Sequence, residues 1–146
     1  MKLREARVVP CVAMQDFTRL EVWRLGHALA LNVHRLSASI PRQDNAGTIS
    51  QLRRASTSIP ANIAEGAAKE SRKEFARFIQ IAIASGSELE NHLLFCRDAG
   101  MAPRAEVDSR LAETTQIRRM LFGLLKRVRE QTCPVGVSSK PKPNDR

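Results

Sequence analysis

Between Thr18 and Ser39 the apolar residues Leu20, Trp23, Ala30 and Leu31 return at helical spacing, and at 100° per residue they fall on one stripe. The spacing predicts a helix over 18–39. Asp16 offers a capping oxygen, and Ile40-Pro41 ends the segment because the residue before a proline is pushed out of the α region. A second segment, 44–68, carries Ile49, Leu52, Ile59 and Ile63 among many small residues. It also contains Pro60, which removes one backbone donor and crowds the Ser56 carbonyl, at a cost of about 3 kcal/mol in a helix interior. Ser56 and Thr57 can supply local hydrogen bonds, and the helical pattern resumes through Ile63. The expectation is therefore one helix, kinked near Ser56 to Pro60.

Ser71-Arg72-Lys73-Glu74 has the capping-box arrangement, a serine followed three positions later by a glutamate. It opens a third helix with Phe75, Phe78, Ile79, Ala82, Gly86, Leu89, Leu93 and Cys96 on one face, closed by Gly100 as a residue suited to the left-handed conformation. Pro103 suits the first turn of a fourth helix, which reaches about Thr132 with Leu111, Ile117, Leu121, Leu124, Leu125 and Val128 on one stripe. Four such helices with short connections predict an all-α fold, an antiparallel up-down-up-down four-helix bundle. The expected organisation is a disordered lead over 1–15, the bundle over 16–132 and a disordered basic tail over 133–146.

Composition adds to this picture without changing it. The 146 residues suit one domain, and the apolar fraction is mainly aliphatic, with five Phe, one Trp and no Tyr. Cys11, Cys96 and Cys133 are odd in number and far apart, so they form neither a disulfide framework nor a C-x-x-C site, and a reducing, cytoplasmic setting is expected. The lead begins with positive charge, but its uncharged stretch is short and interrupted by Pro10, a poor signal-peptide core, and Met14 is an alternative start because the organised pattern begins just after it. The chain has no run of about 18 apolar residues that would cross a membrane.

Charge is more informative. The net +9 is divided as +2 over 1–15, +2 over 16–43, zero over 44–70, zero over 71–102, +3 over 103–132 and +2 over 133–146. Basicity thus gathers toward the two ends, which suits an acidic partner such as RNA or DNA, or a merely solvated surface. On the fourth helix Arg118, Arg119, Lys126 and Arg129 span about 100° of the wheel away from the leucine stripe, and Arg127 lies elsewhere on the circumference. Phe122 sits among them, able to stack on a base or pack against another subunit. Lys140, Lys142 and Arg146 carry the charge into the tail.

Catalytic signatures are missing: no phosphate-binding Gly-rich loop, nucleophile elbow, H-E-x-x-H helix or acidic calcium loop occurs. His27 and His34 are seven apart, whereas helical zinc ligands favour three or four, so packing in the core or an interface is the better reading. His92 has no ligand-type neighbour at a useful spacing. No cofactor, metal or catalytic residue is therefore assigned. The stretch from Ser50 to Gly66 mixes Arg53, Arg54, Pro60, Asn62, Glu65 and Gly66 with dense Ala and Ser. Small residues let helices approach closely, so these positions are assigned to bundle or subunit packing, with Glu65 paired to a nearby arginine. Phosphate contact by Arg53 and Arg54 is the alternative.

Phe17-x-x-Leu20-x-Val22-Trp23 followed by His27, then SQLRRASTSIPANIAEG over 50–66 and KEFARFIQIAIASGSELE over 73–90, resemble the four-helix-bundle proteins encoded in intervening sequences of bacterial 23S ribosomal RNA genes. The resemblance covers about residues 16 to 130. It implies an up-down bundle, a kink at Pro60 inside helix two, and assembly as a homopentamer. A similar bundle, the accessory variability determinant of diversity-generating retroelements, is a basic pentamer that binds its reverse transcriptase and nucleic acid. The expected function is thus non-enzymatic binding of structured RNA or other nucleic acid through Arg118, Arg119, Lys126, Arg127 and Arg129. A scaffold that docks a protein such as a polymerase is the alternative. A hydrolase using Glu65 or His27 as acid or base ranks third.

Overall fold

The computed structural model describes residues 15–131. The expectations for the lead, the tail, Cys11, Cys133, Lys140, Lys142 and Arg146 lie outside those residues. Four helices form: α1 Glu21–Ala38, α2 Ala46–Ala67, α3 Arg72–Asp98 and α4 Arg104–Glu130. Described residues contain no strand, so the chain is an all-α four-helix bundle.

The ends of the helices follow local chemistry. Asp16 caps a separate 3-10 turn, Phe17–Arg19, through a 3.0 Å bond from the Thr18 backbone N–H, and α1 itself starts only at Glu21. The sequence reading had merged the two. α2 is continuous through Pro60. Ser71 caps α3 by accepting from the Glu74 N–H at 3.1 Å, and Gly100 closes it at φ +67°, where only a residue without a Cβ is unstrained. Pro103 stands at the cap of α4, one residue before the first turn where it was expected.

Each helix packs against its chain neighbours, and α4 returns to α1, which leaves α1/α3 and α2/α4 as the diagonals of a square. Across α2 and α3, Gly66 lies against Phe75 and Phe78, Ser58 bonds Ser85, and Arg54 meets Glu88, so the partner number falls from α3's far end as the α2 number rises. α3 and α4 pair likewise, Gly86 against Arg118 and Arg97 with Asp108. The core is aliphatic, with Leu29, Leu52, Ile59, Ile63, Ile79, Leu89, Leu93 and Leu121 among its fully buried side chains.

The α1 stripe needs correction. Its core face is Val22, Gly26, Leu29, Val33 and Leu36, whereas Trp23 is half-buried and Leu31 is 45% exposed. Of the residues picked out from the sequence, Ala30 is buried and Leu20 packs partly against the core, whereas Trp23 and Leu31 mark a second apolar stripe beside the core one.

Candidate nucleic-acid interface

The helical period turns Arg119, Phe122, Lys126, Arg127 and Arg129 of α4 toward solvent, opposite the Ile117, Leu121, Leu125 and Val128 core face. Phe122 is 52% exposed. Arg118 does not join them. It is half-buried between α3 and α4, its Nη1 donating to Glu90 Oε2 at 2.7 Å and its stem crossing Gly86, where an added Cβ would stand 2.8 Å from Arg118 Cγ. Its place in the expected contact set is therefore taken by helix packing. Lys126 Nζ lies 3.9 Å from Glu130 Oε1 with both side chains exposed, a pair worth less than about 1 kcal/mol and readily exchanged for a phosphate.

Arg129 lines a groove of about 380 Å³ between the end of α4 and the start of α3, together with Arg72, Lys73, Arg77 and Gln80. Arg72 also donates to the Gln131 carbonyl, tying the two helix ends together. Arg127 lines a different, smaller recess with Leu20, Phe75 and Leu124. Arg127 and Arg129 thus fall in two different grooves, and Arg119 and Lys126 line neither.

Three cations of the larger groove come from α3, and sequence reasoning missed them. Over 71–102 the charges cancel, yet Arg72, Lys73 and Arg77 outweigh Glu74 early, and Glu88, Glu90 and Asp98 outweigh Arg97 late. Averaging over the helix hid a basic end, and a running count over two turns would have found it.

The opposite side of the bundle is apolar. Phe17, Trp23, His27, Leu31, His34 and Pro60 line a groove of about 430 Å³ between α1 and α2. Trp23 stacks on His27 with ring centroids 5.0 Å apart, and Phe17 meets Trp23 edge-on. His27 and His34 are both exposed, so neither is a core residue. Glu65 does not line this groove.

The Ser50–Gly66 residues are engaged mostly within the bundle. Arg53 Nε donates to the buried Ser37 Oγ at 2.8 Å, Arg54 bonds Gln51 and Glu88, and Asn62 Nδ2 donates to the Ser58 carbonyl at 2.8 Å. Gly66 lies where a Cβ would meet Phe78 Cβ at 2.7 Å. Glu65, expected to pair with an arginine, instead lies 3.9 Å from Lys69 Nζ, one turn on. His92 has an acidic neighbour after all, Glu88 Oε1 at 3.7 Å.

No match is found among curated proteins. Among solved structures the chain is similar to a crystal structure from Bacteroides thetaiotaomicron, a protein with unknown function from the S23 ribosomal protein family. That match has 24% identity and a TM-score of 0.66, and it covers 72% of this chain and 98% of the other. At this identity the likeness concerns the fold. The profile of one family matches residues 18–123, most of all four helices, and the chain belongs to the 23S rRNA-intervening sequence protein family.

Proposed function

We propose that this chain is a non-enzymatic, cytoplasmic homo-oligomer, by family resemblance a homopentamer, that binds structured RNA or other nucleic acid through the basic flank shared by α3 and α4. The observation that carries the reading is the convergence of Arg72, Lys73, Arg77 and Arg129 on one groove, with Lys126 and Arg119 exposed along the adjoining face of α4. Cations from two helices on one flank suit a run of phosphates, because each neutralised phosphate releases counterions. The nearly uncharged α1–α2 groove suits a second copy of the chain, and assembly would multiply weak contacts.

Fluorescence anisotropy of a labelled hairpin RNA at two salt concentrations tests this, beside the variant Lys73→Glu/Arg119→Glu/Lys126→Glu, with light scattering to follow assembly. Wild-type affinity should fall steeply with salt, and the variant should lose roughly 0.7 to 0.9 of logarithmic slope per phosphate contact removed. The apolar groove also favours a second reading, a scaffold that docks a protein such as a reverse transcriptase. An intact oligomer that binds no RNA or DNA would move the assignment there.

A further inference from the structure

Two large aromatics of the bundle are markedly exposed, Phe95 at 56% and Phe122 at 52%, and their surroundings differ. Phe95 on α3 has His92 three positions back, itself 3.7 Å from Glu88, and Ala99 four positions on, and the nearby Arg97 is already engaged by Asp98 and Asp108. Phe122 on α4 has Arg119 three positions back and Lys126 four positions on, the spacings that put helical side chains side by side. Directly after it comes Gly123, in mid-helix. A Cβ built there meets nothing within 4 Å, so no packing contact requires the glycine, although it costs the helix about 1 kcal/mol relative to alanine. Gly123 has Arg119 and Arg127 one turn to either side. The exposed side of α4 therefore holds an aromatic ring with Arg119 and Lys126 one turn to either side, and Gly123 leaves the flank about 100° round the helix open.

A ring face ringed by cations matches a base and its flanking phosphates, since every base offers a π-face. A base paired within a duplex has both faces covered by its neighbours. Resting on the nucleic-acid reading above, we infer that Phe122 forms a stacking platform for an unpaired base, with Arg119 and Lys126 holding the adjacent phosphates and Gly123 leaving the neighbouring flank open to the strand. The nucleic acid taken by this surface is therefore single-stranded or looped, and an uninterrupted duplex is a poorer ligand.

The test uses two probes, a 5′-fluorescein single-stranded RNA of about twelve nucleotides, within the usual range of single-strand site sizes, and the blunt duplex it forms with its complement. Anisotropy titrations compare the full chain with Phe122→Ala, Gly123→Gln and the control Phe95→Ala, and light scattering gives the mass of each. The expected result is tighter binding of the single strand, a roughly tenfold loss for Phe122→Ala on that probe alone, a several-fold loss for Gly123→Gln, and no change for Phe95→Ala. Equal binding of both probes, or unchanged single-strand affinity in Phe122→Ala, overturns the platform while leaving nucleic-acid binding intact. A change of assembly mass in Phe122→Ala overturns it in favour of a subunit contact. Failure of the wild type to bind either probe overturns the nucleic-acid reading itself, and the platform with it.

Discussion

At Gly66 an added Cβ would stand 2.7 Å from Phe78 Cβ and 2.8 Å from Phe75 Cδ2. Phe78 Cβ is fixed to the α3 backbone, so relief requires the helices to move apart. Gly66→Ala is expected to destabilise the fold by about 1 to 3 kcal/mol, read as a lower urea midpoint with an unchanged slope. Gly86→Ala makes the contrast. There the clash is with Cγ of Arg118, which can move away by a change of side-chain rotamer at the expense of its Glu90 pair, without moving the helix backbones apart. Both partners are about a third exposed, so that loss is below about 1 kcal/mol and is offset by the better helix propensity of alanine. Gly86→Ala should therefore lose less stability than Gly66→Ala, under about 1 kcal/mol, read from its urea midpoint at an unchanged slope. Cys96 is a different case, because burial raises its thiol pKa and hides its sulfur. Iodoacetamide labelling mapped by mass spectrometry should leave Cys96 unmodified until urea unfolds the chain. The unfolded thiol ionises at lower pH than the folded one, so stability linked to it is intact below the ordinary thiol range and declines as pH rises through it.

At the scale of the element, legibility depended on how many apolar faces a helix has. α3 has one continuous apolar face, and Phe75, Phe78, Ile79, Ala82, Gly86, Leu89, Leu93 and Cys96, grouped from periodicity alone, are all buried, with Ile81, Leu94 and Phe95 exposed apart from it. α1 has two adjacent stripes, and spacing cannot say which one faces inward, because that is decided by the helices packed against it. The same limit explains Arg118 and Glu65. A wheel places Arg118 near the basic face, but only the α3 neighbour reveals Glu90 within reach. Caps, being local, are read more safely. Ser71→Ala removes the acceptor for the Glu74 N–H at the start of α3 and should cost about 1 kcal/mol. Circular dichroism of a thermal melt would show it as a lower midpoint with the same folded baseline, and an unchanged midpoint would mean that the cap contributes nothing.

At the scale of the whole molecule, the square arrangement sets the apolar α1–α2 groove and the basic α3–α4 groove on opposite sides of one bundle. Self-association through the first would leave the second open to solvent in every copy. This separation allows assembly and binding to be broken independently. Leu31 is 45% exposed and Ala61 is exposed beside it in the α1–α2 groove, so Leu31→Glu/Ala61→Glu adds two carboxylates there without entering the core. Burying unpaired charges against another subunit would cost several kcal/mol, whereas in the free protomer both carboxylates remain hydrated. The variant should therefore keep its helical circular dichroism and sediment as a smaller species. If binding by the basic flank gains from several linked copies, its affinity for a long RNA should fall by about 10²-fold or more, while its affinity for an RNA that reaches only one subunit should hold. A variant with wild-type mass would mean that the α1–α2 groove is not where copies meet. A smaller species with undiminished affinity for the long RNA would mean that each bundle binds by itself.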